Sequence, residues 1–535
     1  MSFRFFKRPA WEIRSVSAPW DLRSSIYNHI ITHFPPDKPA LKEGGETLPD
    51  EDRIRGNTGF GWAPGALDGT FGHHAGFSDS TKLARNILSA FRQLTEKATD
   101  ERARTLYSLL IQNSAMEYID QLVEAIAGDQ KINADRLHAV ASWIATESPD
   151  REPVKTSIAI LGLLARREDR DLLLTLGRHE EFTLYAVVAL QNAEQAAEES
   201  IWELGKYVKG WGRIHIVERL AGTQDARIKA WLLREGYKND IMTEYTALIC
   251  AKTGGLLEEL RKPQADDLLL RGAGEILSAI IDGRGGPAAG VEAYPEGAEV
   301  AESYLRLLLT RKQGLRDFNV VATIERFLQE EEGEAHDVTL GWPQRRGLLL
   351  DYINAIRSRP GWEEVVQEGL ASENLQQFWN AAQAAKVLGI DTWGVYFERL
   401  QRGEDQWYFV MQTDDPARID KVIRFAEERL PLSEMASGPA NELGLGPEFQ
   451  AHSALDFVLQ DLHRFPGKGW PLIRAGLQSP VTRNRNMAIR ALSSWKREEW
   501  PEEADFLLRR ALDREPNTDT RDLIRKLIAG QAIEP

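Results

Sequence analysis

A single cysteine, Cys250, stands in 535 residues. A lone thiol closes no internal disulfide, and it cannot build a zinc site of four cysteines or of two cysteines and two histidines. Long apolar runs are missing too, and nothing reaches the roughly 18 residues that a membrane-spanning helix needs. Alternating β-branched stretches are nearly absent, which removes the usual signature of sheet. Positive charge is in deficit: Lys and Arg number 66 against 81 Asp and Glu, a net charge of −15. Such a balance, with no basic stripe interleaved with aromatics, does not suit nucleic-acid binding, which sets cations against phosphates. The start Met1–Pro9 is basic and aromatic but lacks the apolar stretch of a signal peptide. The expectation is a cytoplasmic protein whose first residues dock on its body. A weak touch on a membrane surface through Phe3, Phe5, Phe6, Lys7 and Arg8 is the alternative.

What is present is helix. Leu83, Ile87, Phe91 and Leu94 form one apolar stripe, and Ile119, Leu122, Val123 and Ile126 form another at i, i+3, i+4 and i+7. Gly128-Asp129, Ser148-Pro149-Asp150, Gly177, Gly222-Thr223 and Gly254-Gly255 punctuate the helices at short intervals. The length exceeds the roughly 250–300 residues that one hydrophobic core supports, so many short amphipathic helices predict pairs that stack.

A repeat supports that reading. Gly369-Leu-Ala-Ser372 returns as Gly476-Leu-Gln-Ser479, 107 residues on, and the same offset aligns Ala381 with Ala488, Ala384 with Ala491 and Trp393 with Trp500. Gly361-Trp362 matches Gly469-Trp470 with a one-residue slip, and Gly210-Trp211 through Gly236 is a partial third copy. Each unit reads as a helix, a turn whose Ser or Thr caps the next helix, and an Ala-rich second helix. Trp211, Trp231, Trp362, Trp393, Trp470 and Trp500 read as recurring packing knobs. In pattern this resembles HEAT and armadillo-type repeats over roughly residues 80–530, which implies an all-α solenoid of stacked helix pairs. An irregular helical array is the alternative. The expected organisation is an N-terminal segment 1–36, a Gly/Pro-rich loop 37–77, a helical-repeat segment 78–282, a linker 283–299, a central repeat segment 300–432, a linker 433–450, and C-terminal repeats with a cap over 451–535.

Catalytic templates find little purchase. Cys250 lies in the apolar run Tyr245–Gly254 and reads as core. No Gly-x-Gly-x-x-Gly follows a strand, and Walker A, Gly-x-Ser-x-Gly and His-Glu-x-x-His are missing. No metal set and no cofactor are expected. His29 and His33 share a helix face without a third ligand. Glu330-Glu-Glu332 with Glu334 reads as a solvated helix end. The candidates for ligand contact are His73 and His74, on flexible Gly-rich backbone, and Trp211, Arg213 and His215 near a helix start, where an anion can bind. The structural alternative packs Trp211 and pairs Arg213 with an acid such as Glu218. His73 and His74 would also suit a lid formed by the Pro35–Gly76 loop.

The run Gly210–Thr223, continuing through Trp231–Gly236 to Glu244-Tyr245, resembles bacterial limonene hydroxylases over about 50 residues. That resemblance implies monoterpene oxidation of a small apolar substrate held between helices, and it carries no catalytic residue onto this chain. The residues themselves favour a binding or scaffold protein that holds a protein or peptide partner on the concave face of its repeats.

Overall fold

The computed structural model describes residues 11–34, 41–55, 63–68, 80–193, 197–263, 265–330 and 341–533. The aromatic start of the chain, His73, His74 and the acidic run after Glu330 lie outside them. Among the described residues the protein is all-α, with no strand and one isolated bridge, between Glu442 and Val481. Contacts divide the chain into two compact units, Met1–Pro360 and Gly361–Pro535. The division falls inside the expected central segment, at a Gly-Trp step.

The first unit contains α1 (Ile26–His33), α2 (Glu51–Arg55), α3 (Thr81–Glu96), α4 (Asp100–Ile111), α5 (Ala115–Ala127), α6 (Ala134–Glu147), α7 (Arg151–Leu164), α8 (Arg170–Gly177), α9 (Glu180–Ala193), α10 (Ala197–Gly205), α11 (Gly210–Arg219), α12 (Ala226–Trp231), α13 (Glu244–Gly254), α14 (Leu256–Arg261), α15 (Asp267–Asp282), α16 (Gly297–Leu309), α17 (Leu315–Glu330) and α18 (Trp342–Arg357). Each odd-numbered helix from α3 to α17 packs on the next odd-numbered one, and α14, α16 and α18 follow the same rule. The stripes explain why: Ile87, Phe91 and Leu94 of α3, Leu122 and Ile126 of α5, and Val154, Ile158 and Leu161 of α7 are all buried. Burying each such side chain contributes about 1.5–3 kcal/mol. A lone helix pair leaves part of this surface wet, so each pair needs the next. The 283–296 stretch connects α15 to α16 within this unit and contains a 3-10 turn, Val291–Ala293.

The second unit contains α19 (Trp362–Leu370), α20 (Leu375–Leu388), α21 (Trp393–Gln401), α22 (Trp407–Met411), α23 (Pro416–Arg429), α24 (Leu432–Met435), α25 (Gln450–Leu462), α26 (Trp470–Leu477), α27 (Thr482–Ser493), α28 (Ala504–Arg514) and α29 (Thr518–Ile528). Its core runs from Met411 and Val422 through Leu459, Ile473 and Leu492 to Leu508. The two copies of the 107-residue repeat become α19–turn–α20 and α26–turn–α27. Gly361 (φ +96°) and Gly469 (φ +74°) cap their helices in the left-handed region that favours glycine. The loop before α25 is tied down by Gly438 N–H donating to the Gln478 carbonyl at 2.8 Å.

The turns repeat in atomic detail. Ser372 Oγ accepts from the Asn374 N–H and Ser479 Oγ from the Val481 N–H, both at 3.1 Å. In the partial third copy, Thr223 Oγ1 accepts from the Asp225 N–H at 3.2 Å. Ser148 with Asp150 (3.1 Å) and Thr413 with Asp415 (3.2 Å) build the same turn where the 107-residue spacing gives no hint of it. In each case the hydroxyl holds the residue just before the following helix, and Asp225, Asn374 and Asp415 also cap theirs through the side chain.

Helices of the first unit meet closely where α7 crosses α9. A Cβ built on Gly162 would lie 2.5 Å from Ala189 Cα, so the backbones meet with no room for a side chain. Gly162→Ala is expected to destabilise the protein by about 1–3 kcal/mol despite the gain in helix propensity. Urea unfolding of the purified variant measures it.

Candidate functional site

The densest polar cluster was not legible in the sequence. Lys155, in the middle of α7, is buried, with Nζ 2.6 Å from Glu181 Oε1, 2.7 Å from Asp68 Oδ2 and 3.2 Å from Glu152 Oε1. One helical turn earlier, Arg151 reaches Asp50 at 3.0 Å and Glu51 at 2.7 Å. Glu181 also accepts from the Gly65 N–H at 2.8 Å, and Tyr185 donates to Asp68 at 3.2 Å. Asp150 takes Arg23 at 3.0 Å, Arg53 at 3.3 Å and the Tyr107 hydroxyl. Arg23, Asp50, Glu51, Arg53 and Asp68 thus fasten the early part of the chain by charge onto α7, α9 and the turn before α7.

The energetics follow from burial. Desolvation pushes the Glu181 carboxyl up, but Lys155 and Arg151 outweigh it and hold the group down at about 2. Glu152 sits above the usual carboxylate range because burial, with Asp68 and Glu181 beside it, outweighs Lys155. The Lys155 ammonium is held well above its ordinary value by Glu152, Glu181 and Asp68, against burial. With all its carboxylate partners in place, this cluster is an anchor.

The sequence candidates fall next to that anchor. Trp211 is buried against Ala66 and Ile214, and its ring centroid lies 5.4 Å from that of Tyr245. Arg213 does not pair with Glu218. Its guanidinium donates instead to the carbonyls of Val208 (2.9 Å), Glu235 (3.0 Å) and Lys238 (3.2 Å) and lies over the Trp231 ring. Glu218 is 3.3 Å from His215 Nδ1. Arg213 thus closes the end of a neighbouring turn, using donors that an anion would need. His29 and His33 stack on each other at 4.2 Å, with His29 Nε2 3.1 Å from the Gly45 carbonyl oxygen. Cys250 is free and fully buried, and burial pushes its thiol far up. That environment makes a poor thiolate.

Glu180, the first residue of α9, is a half-buried titratable group that sequence reading missed here. A Cβ on Gly210 would meet its Oε2, and Gly210 also holds a positive φ (+54°), which favours glycine there. Burial raises the carboxyl to about 7, helped by Glu46 and Asp240 and opposed by Lys209 and Arg213. A Glu that ends one helix turn and begins another gives no sequence signal of this kind.

In the second unit, Ser479 Oγ lies 3.1 Å from His452 Nδ1, a spacing that suggests a nucleophile and its base. The serine is fully buried and its hydroxyl bonds Asn484 Oδ1 at 2.9 Å, so the pair belongs to the helix cap. More distinctive is a run of rings. Trp379 of α20 packs at 4.9 Å on Phe409 of α22, Phe409 stacks at 4.7 Å on Tyr396, and Tyr408 lies 6.1 Å from Phe457 of α25. Leu375, Trp379 and Tyr408 are 57, 36 and 44% exposed.

No family model matches the chain, and no curated protein matches it. Among solved structures, an engineered protein from the Northeast Structural Genomics Consortium is similar, with 14% identity over 83% of this chain and 98% of that one, at a TM-score of 0.20. That likeness assigns neither fold nor function. Among the described residues no helix is long and apolar enough to cross a membrane, and no group of three or more His, Cys, Asp or Glu could hold a metal ion.

Two variants test these environments. Lys155→Met takes from three buried carboxylates their nearest cation, leaving Glu181 only Arg151 at 3.8 Å, and is expected to cost about 3–5 kcal/mol, with faster proteolysis within residues 41–55 as the accompanying readout. Glu180→Gln should act only at higher pH. A folded-state value of about 7 against an ordinary 4.5 makes the protonated form free of penalty below 4.5. The penalty builds as pH rises from 4.5 to 7, where the unfolded chain ionises this carboxyl and the folded one keeps it protonated, and it is complete above 7. The variant is therefore expected to be more stable than the parent by about 2 kcal/mol at pH 8 and equal to it near pH 4.5, as measured by denaturant unfolding at the two pH values.

Proposed function

We propose that the chain is an α-solenoid of HEAT-like helix pairs that works in the cytoplasm as a binding or scaffold protein for a protein or peptide partner. The packing of each helix on the next but one and the recurring Ser/Thr turns support the repeat reading. The observation that carries the binding reading is the exposed aromatic surface of the second unit. Leu375 and Trp379 project from α20, the second helix of its pair, and Tyr408 continues the surface. Aromatic side chains bring large contact area at low entropic cost and dominate protein interfaces. The net charge of −15 does not suit a nucleic-acid partner.

The test compares full-length protein with the Trp379→Ala/Tyr408→Ala double variant in capture from native cytoplasm, followed by quantitative binding of the partner recovered. The variant is expected to stay folded at a cost of about 1–3 kcal/mol for the partly buried rings, and to bind at least roughly tenfold more weakly, as hot-spot aromatics do. Equal binding by both proteins overturns the reading. So does turnover of limonene to an oxidised product by the purified protein, which would establish the limonene hydroxylase alternative instead.

A further inference from the structure

In the second unit, the turn after α21, the end of α23 and the start of α25 enclose a cleft of about 250 Å³. Leu400, Trp407, Phe425, Leu430 and Pro431 give it an apolar lining. The volume lies below the roughly 300–1,000 Å³ of sites for drug-sized ligands, so the cleft suits a small occupant. Its polar groups are divided by sign. The turn supplies Glu404 and Asp405. Glu404 is held by Arg399, a buried guanidinium that lies over the Phe378 ring at 3.9 Å. Arg399 Nε and Nη2 both reach Glu404 Oε2, at 2.9 and 2.8 Å, which leaves Oε1 without a partner among the described residues.

The other two elements are positive. Arg429 ends α23, and Gln450, Ala451 and Ala454 bring the start of α25 to the cleft, where no side chain caps the helix. The first N–H groups of α25 carry the positive end of its dipole. Asp405 and Arg429 are exposed and line the same cleft, yet neither forms an ion pair with the other or with any other described residue. Trp407 is only 8% exposed, and its indole N–H has no acceptor among the described residues. That nitrogen is not sealed from solvent as those of Trp495 and Trp500 are. Opposite charges that share a cleft without closing on each other suit a ligand that carries both.

We propose that this cleft binds a free α-amino acid with an apolar side chain. Its ammonium would meet Glu404 Oε1 and Asp405, and its carboxylate Arg429 and the start of α25. Its side chain would lie against Trp407 and Phe425. None of the lining residues belongs to the exposed surface of Leu375, Trp379 and Tyr408, so the site does not depend on the partner reading.

The experiment titrates the full chain calorimetrically with L-leucine and L-phenylalanine, and saturable binding of at least one is expected. Two analogues divide the contacts: leucinamide lacks the carboxylate and 4-methylpentanoate lacks the ammonium. Each is expected to bind roughly tenfold or more weakly than leucine. Asp405→Asn and Arg429→Gln change exposed residues, so both should keep the parent's unfolding transition while losing a similar factor in affinity for the amino acid. Leucinamide, with no carboxylate to lose, should bind Arg429→Gln as well as it binds the parent. The proposal is overturned if neither amino acid binds at millimolar concentration, if both analogues bind as tightly as leucine, or if both folded variants bind the amino acid as well as the parent. The analogue comparison needs only the parent protein, so it decides the matter even if a variant fails to fold.

Discussion

Everything in this molecule depends on a geometric constraint. A short amphipathic helix pair has more apolar surface than it can hide, so each pair must borrow the next one's. In the first unit this produces an unbroken succession from α3 to α17 in which every second helix touches. The contact is close where side chains are small, as at Gly162 against Ala189. Such packing leaves little tolerance for added volume, because interiors are filled nearly to crystal density.

The turns between helices carry the second layer of specification. Five of them place a Ser or Thr hydroxyl under the backbone N–H two residues on, at Ser148, Thr223, Ser372, Thr413 and Ser479. A local hydrogen bond of this kind fixes the direction of helix entry with no help from distant residues. It is therefore readable from local sequence, and the Gly-Leu-x-Ser signature exposes it in two of the five. The Gly-Trp step that opens α19 and α26 recurs at Gly341-Trp342, again with the glycine at positive φ (+80°).

Charge acts at longer range. Lys155 meets Asp68 and Glu181 although they lie far away along the chain, and Arg151 meets Asp50 across 101 residues. These contacts bring the N-terminal segment onto α7 and α9 and bury ions that neither region could bury alone. The result is strongly conditional: the cluster stabilises only while its members remain paired. Arg213 illustrates the same dependence. In the sequence it stands beside Trp211 and His215 as an anion binder, but the fold spends its donors on the carbonyls of Val208, Glu235 and Lys238.

Features that rest on near neighbours could be read along the chain. The all-α class followed from apolar periodicity, the burial of Cys250 from its apolar run, and the turn at Ser372 and Ser479 from a repeated tetrapeptide. Features that need distant residues to meet emerged only on folding. Packing placed Lys155 among three carboxylates, set Glu180 against Gly210, and left Trp379 and Tyr408 exposed while Trp211 and Trp362 were buried. It also set Trp495 and Trp500 along one cleft, although repeat spacing marks only Trp500, as a packing residue. The physical reason is range. Periodicity and capping act within one or two helical turns, whereas desolvation and ion pairing depend on which surfaces the stacked helices finally cover.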